Sequence, residues 1–427
     1  MKLINYAEIN FEKKFFLLGA LFLLTAPILS LIFFLVSIIL VKFKNQNEPK
    51  KEIRNKDLLW ASFFMILSCI FQGLNLQTTN HLSIGYDISL SWVGLLNWFP
   101  LFISFYFLKP FVDDPKDRKL FLITILIGSA PIMIFIGLSQ YFKLYDGNLN
   151  LFNGLIRWFS FDYDSWNSGI AINPIFSNPN YSASWILISW ITTLYLLEFP
   201  KTFFKKITYI FLLLGIFTIL LLTRSTNAYL GLFLSFPVYK GIKSIKVLSK
   251  LSILSVFIIF LITIFGNVFF SELNFNNIIS SLQTRIIIWK ETIFFILQKP
   301  IIGWGASSYP LVFEKKIGYI INHAHNLPLE LAYSYGLPCT FIIFRYLYII
   351  PLKAYLKIIQ NHPKNFKDTP EHYIDLLWVS TTLILLFTQL LDIHYYDGRF
   401  SIVIWILISG SQEILKNSHK IDSDKSK

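Results

Sequence analysis

FFLLGALFLLTAPILSLIFFLVSIILV, residues 15–41, is one apolar run broken at Thr25-Ala26-Pro27. The hydrocarbon core of a bilayer takes about 20 apolar residues of helix per crossing. Proline cannot donate to an existing helix but is tolerated in the first turn of a new one. The run therefore reads as two helices joined by a tight hairpin; whether it makes one crossing or two stays open from sequence.

Working outward, similar runs fall at 58–76, 91–108, 120–138, 181–198, 207–222, 226–239, 251–270, 337–350, 373–393 and 400–414. The chain is 54% hydrophobic and 15% charged, with mean hydropathy +0.56, which excludes an ordinary soluble domain. The expected fold is an all-α polytopic transmembrane bundle of about 12 crossings. Residues 1–415 form a single membrane domain, with a large periplasmic loop at about 271–336 that carries short amphipathic helices. Residues 416–427 form a lysine-rich cytoplasmic tail expected to be disordered.

The net charge of +13 does not point to nucleic acid. Lys and Arg cluster in alternate loops, such as Lys50, Lys51 and Arg54, then Lys116, Arg118 and Lys119, then Lys201, Lys205 and Lys206. About 29 of the 38 basic residues fall on one side when twelve crossings are drawn. That is the positive-inside pattern, and it puts both termini in the cytoplasm. Membrane lipids are the implied surroundings. Cys69 and Cys339 lie in or beside apolar helices and suggest neither a bridge nor a zinc spacing. No cleavage site follows the amino terminus, so its first helix reads as uncleaved.

The segment SLQTRIIIWKETIFFILQKP (281–300) has an apolar core of about a dozen residues holding Lys290 and Glu291. That is short for a crossing, and an internal charge costs about 2.5–3.5 kcal/mol at the bilayer centre. It reads as an amphipathic helix on the outer surface, with Arg285 opening it. Gly303-Trp304-Gly305 reads as a turn of close backbone approach. Asn326 is a favoured N-cap with Pro328 in the first turn, and Gly336 is a natural stop with Pro338 beyond. His325 then sits at the positive end of a short helix, a place that attracts anions.

Two permanent cations near outer helix ends, Arg224 and Arg285, match phosphate oxygens in geometry and charge. A titratable ring, His325, is suited to removing a proton from a hydroxyl. No metal or other cofactor is expected, and the two arginines take the cation's electrostatic role. Each feature also has a plain structural use. Arginines at helix ends anchor at the interface, loop histidines pack, and Asn178-Pro179-Asn180 starts a helix. Asp392, His394, Asp397 and Arg399 crowd one turn, where an internal ion pair is expected.

Taken together, FSNPNYSASWIL (176–187), TRSTNAYLGL (223–232), TRIIIWKETIFFILQKPIIGWG (284–305) and HAHNLPLELAYSYGLPC (323–339) resemble the O-antigen ligase and polymerase family of bacterial membrane glycosyltransferases. The last piece follows the pattern His, Asn, nine residues, Gly, two residues, then a small residue or Tyr. At its final position Cys339 departs from the pattern, standing where Gly, Thr or Tyr is usual. The resemblance spans about 170–410, and the amino-terminal third matches in hydropathy alone. It implies His325 as catalytic base, with Arg224, Arg285 and Asn326 binding substrate. It also implies metal-independent transfer of a glycan from an undecaprenyl-diphosphate carrier, on the periplasmic side, to a hydroxyl of lipid A-core, polysaccharide or protein. A membrane transporter of a small anion such as bicarbonate is the alternative from another class.

Overall fold

A computed structural model describes residues 10–44, 56–76, 89–144, 171–200, 202–241, 275–360 and 370–425. The expected span at 251–270 lies outside these residues. Among the described residues there are helices and turns but no strand. The amino-terminal part holds α1 (Phe11–Phe22), α2 (Pro27–Lys44), α3 (Lys56–Leu76), α4 (Ser89–Gly94), α5 (Phe99–Phe107) and α6 (Pro115–Tyr141). The remainder holds α7 (Pro179–Glu198), α8 (Phe203–Leu222), α9 (Thr226–Lys240), α10 (Phe275–Gln298), α11 (Tyr309–Ile317), α12 (Leu327–Phe344), α13 (Ile350–Gln360), α14 (Pro370–Thr388) and α15 (Gly398–Lys425). Among the described residues, three stretches are long and apolar enough to cross a membrane: Ser89–Phe107, Pro115–Tyr141 and Phe203–Leu222.

Local chemistry sets the boundaries. The run at 15–41 is a helical hairpin: α2 starts on Pro27, packs along α1, and Ser30 Oγ donates to Gly19 O at 2.6 Å. Asp114 caps α6 through Lys116 N–H, and Asn178 caps α7 through Asn180 N–H, each with proline at the next position. Ser225 caps α9 through Asn227 N–H. These side-chain oxygens satisfy N–H groups that have no partner inside their own helix.

The two ends of the bundle differ chemically. At one end Arg118 is buried; it holds Asp375 at 2.6 Å and donates to the carbonyls of Val112 and Asp113. The same end carries Lys13–Asp117 and Arg345–Asp57, and the pairs Lys109–Glu413 and Lys240–Glu198. At the other end lie the start of α7, the α8–α9 turn, the start of α12 and the α14–α15 turn. These basic residues thus gather at the end away from the polar network described below.

Two boundaries differ from the sequence reading. The helix bearing Arg285 begins well before it, at Phe275, so Arg285 sits inside α10 and does not open it. The polar stretch FNNIISSLQT holds no proline or glycine to stop it. The last helix also runs past Leu415 to Lys425, where composition predicts a disordered tail. A Glu413–Lys416 pair at 3.3 Å supports the turn at that point, and lysine-rich sequence propagates helix well.

Residues 288–333 build a small core of their own from Ile288, Phe295, Ile296, Tyr309, Phe313 and Tyr333, among others. The loop after α10 crosses α12 closely. Trp304 N–H donates to Tyr333 O at 2.7 Å, Gly305 N–H to Ser334 O at 2.9 Å, and Leu337 N–H to Pro300 O at 2.7 Å. Helix α12 breaks at Gly336, whose φ of 81° and ψ of 167° suit glycine alone. A Cβ there would run into the carbonyl of Ile301. The expected stop at Gly336 and the close approach at Gly303-Trp304-Gly305 are both present.

Candidate active site

The turn before α12 is fastened on both sides. Asn326 Oδ1 accepts from Leu329 N–H at 3.0 Å, and its Nδ2 donates to Leu390 O at 2.9 Å. Leu327 N–H donates to Gln389 O at 2.9 Å, and the buried Glu330 carboxylate accepts from Ala324 N–H at 2.9 Å. Between these anchors His325 has a φ of +50°, a left-handed conformation that non-glycine residues adopt at a cost of about 1–3 kcal/mol. The strain persists because the surrounding bonds over-determine the turn. It turns the His325 ring toward the α14–α15 turn.

There His325 Nδ1 lies 3.0 Å from Asp392 Oδ1. The Asp392 side chain is 3% exposed and that of His325 is 32% exposed. Asp392 Oδ1 also accepts from Ile393 N–H at 3.0 Å, and Oδ2 accepts from Asn180 Nδ2 at 2.8 Å. Asn180 Oδ1 in turn accepts from Ser225 Oγ at 2.5 Å. Ser225 directly follows Arg224, itself at φ +50° between the end of α8 and the start of α9. The chain of bonds thus joins the turn of Arg224, the first turn of α7, Asp392 and His325.

Burial alone would push the Asp392 carboxyl up. The hydrogen bond from His325 and the neighbouring histidines outweigh it and hold the group well below the usual carboxylate range. An ionised Asp392 accepts the Nδ1 proton of His325, which leaves Nε2 as the free lone pair of the ring. His323 packs edge-on against His325 with ring centroids 4.2 Å apart, and its Nδ1 accepts from His325 N–H. Burial, reinforced by His325 and opposed by Asp392, lowers His323 to about 4.

His394 has a separate role. Gln389 Oε1 accepts from the backbone N–H groups of His394 and Tyr395, both at 3.0 Å, so its Nε2 is the donor to His394 Nδ1. The proton then sits on His394 Nε2, within reach of Ser184 Oγ at 3.3 Å and the Asn227 amide at 3.2 Å. Asn227 Oδ1 is buried and lacks a hydrogen-bond partner among the described residues. Turning that amide by 180° presents Oδ1 to the Nε2 proton and satisfies both groups. Burial lowers His394 to about 4, so it is a neutral strut.

Arg285 is 8% exposed, and its Nη1 has no hydrogen-bond partner among the described residues. Burial lowers its pKa, with the charge of Asp392 opposing. The charge of Arg285 in turn opposes protonation of His394. A buried cation without a full set of partners is costly to a fold.

Of the residues singled out from sequence, His325 faces the network, Arg285 stands in its field, and Arg224 adjoins it through Ser225. Asn326 is fully engaged as a helix cap and a tie to Leu390. The turn at 392–399 divides in two. Arg399 does form the expected ion pair, with Asp397 (Nη2 to Oδ2 at 2.5 Å), but Asp392 belongs to His325 and not to that pair. Sequence reasoning missed Asp392 and Asn180 because their partners lie 67 and 212 residues away. It also found no metal pattern, yet folding brings His323, His325 and Asp392 together, with ligand atoms within 4.8 Å of one another.

Residues 210–344 match the family model described as O-antigen ligase. The matched stretch contains Arg224, Arg285, His325 and Asn326 and ends before Asp392. No curated protein matches the chain. The similarity to the O-antigen ligase family model is confined to residues 210–344, about a third of the chain, with the histidine turn and both arginines inside that stretch.

Proposed function

We propose that this protein transfers a glycan from an undecaprenyl-diphosphate carrier to an acceptor hydroxyl on the periplasmic side of the inner membrane. The observation that carries the reading is the Asp392–His325 pair, with the charge of Asp392 felt by the buried guanidinium of Arg285. Asp392 holds the Nδ1 proton, and Nε2 takes the proton of the acceptor hydroxyl. The acceptor oxygen bonds to the anomeric carbon as the bond from that carbon to the diphosphate oxygen breaks. Arg285 and Arg224 hold the diphosphate and stabilise the charge it gains on leaving. They take the electrostatic part that a divalent ion plays in other phosphate chemistry. Proton transfer of this kind contributes roughly 10²–10⁴-fold to rate.

In this reading the end rich in Lys and Arg pairs faces the cytoplasm, with both termini there and twelve crossings in all. The acceptor is lipid A-core, a growing polysaccharide or a protein. In cells lacking the native gene, Arg224→Ala, Arg285→Ala and His325→Ala should each lose surface glycan while accumulating the lipid-linked donor. Membrane abundance of each variant is measured alongside. Normal glycan display in all three sinks the proposal, and loss of display without donor accumulation points to transport.

A further inference from the structure

The turn that carries the base also gathers a set of metal-ligating side chains. His323 and His325 stand two residues apart with rings 4.2 Å between centroids, and Asp392 Oδ1 lies 3.0 Å from His325 Nδ1. One ligand atom from each of the three lies within 4.8 Å of the others. Tetrahedral zinc, with bonds of about 2.0–2.1 Å, sets its ligand atoms about 3.3 Å apart. The most that any pair must close is then about 1.5 Å. Two imidazoles and a carboxylate are a donor set that zinc accepts, and three protein ligands leave a fourth position for water.

Two further features suit a ligand set. The second oxygen of Asp392 is held by Asn180 Nδ2 at 2.8 Å, the outer bond that orients a ligating carboxylate. His325 keeps 32% of its side chain exposed, which leaves a way in for the ion. The turn is anchored independently of these three side chains, through Asn326, Leu327 and Ala324.

From this geometry we infer that His323, His325 and Asp392 bind a zinc-class divalent ion, and that the bound ion switches glycan transfer off. If the ion takes Nε2, it occupies the lone pair that receives the acceptor proton. If it takes Nδ1, the ring's single proton sits on Nε2, and Asp392, released from that proton, is drawn onto the metal. Either way the imidazole is no longer a base. The inhibition rests on the proposed role of His325; the binding does not.

The test uses the full chain in detergent, purified without a polyhistidine tag, with Co²⁺ as the probe and its visible d–d bands as the readout. One equivalent should bind and be displaced by Zn²⁺. His323→Ala, His323→Gln and Asp392→Asn should lose the bands, and Asn180→Ala should weaken affinity about 10–100-fold. His372→Ala, at the far end of the bundle, should keep them. In transfer assays Zn²⁺ should inhibit the wild type reversibly with EDTA. His323→Gln, compared with its own uninhibited rate, should need about 10-fold more Zn²⁺ or beyond. Absence of saturable bands in the wild type, or bands that survive both His323 variants, overturns the site. If His325→Ala still abolishes transfer in that case, the base assignment stands without the metal. Bands that behave as expected while Zn²⁺ leaves transfer untouched overturn the inhibition, and the base assignment with it.

Discussion

At Arg285 the protein buries a cation. The guanidinium is only 8% exposed, and its Nη1 has no hydrogen-bond partner among the described residues, so the charge is not fully compensated there. Arg285→Met, of similar reach and no charge, should therefore raise thermal stability by about 1 kcal/mol or more in donor-free protein. The same variant should lose transfer. A melting curve shifted downward would show that the cation is structural. His394 makes the opposite kind of statement. Its folded pKa of about 4 lies below the ordinary histidine value near 6.5, so its contribution to stability is complete above about 6.5. That contribution drains away as pH falls toward 4, because the unfolded chain takes up a proton the folded site refuses. His323 titrates with the same sign. His394→Gln should flatten the fall in melting temperature between about pH 6.5 and 4, and an unchanged slope would contradict the neutral-strut assignment.

At the scale of elements, what is legible in the sequence is short-range. Asn178 and Asn326 cap the helices they precede, and Pro27 opens α2, because a cap acts on a group two or three residues away. Gly336 is legible for the same reason, though its partner is not: the carbonyl it makes room for belongs to Ile301, in a loop that the sequence marks for close backbone approach without saying to what. Gly336→Ala should cost about 1–3 kcal/mol from backbone conformation alone. It should also displace the loop at 300–305, lowering melting temperature and transfer together; wild-type values for both would refute the break as a fixed joint. The start of α10 escapes sequence reading because FNNIISSLQT has neither apolar period nor breaker. The extension of α15 beyond Leu415 escapes it because polar composition reads as disorder.

Across the whole molecule, alternate lysine-rich loops lead to the expectation that basic residues share one side. Arg118, Lys13, Lys240 and Arg345 each pair with an acid near a helix end. Asp392 cannot be paired with His325 from sequence, since periodicity says which face a residue takes and not which distant turn it meets. The proposed orientation has a direct check, because both native cysteines are buried. In spheroplasts, Gly318→Cys should react with a membrane-impermeant maleimide and Lys357→Cys should not; the reverse pattern would invert the topology. The account as a whole depends on His325 acting as a base that Asp392 orients. The decisive measurement is the rate of glycan transfer by purified His325→Gln, with lipid-linked donor binding measured on the same sample. The predicted result is a loss of at least about 10²-fold in rate with donor still bound; transfer at the wild-type rate would contradict it.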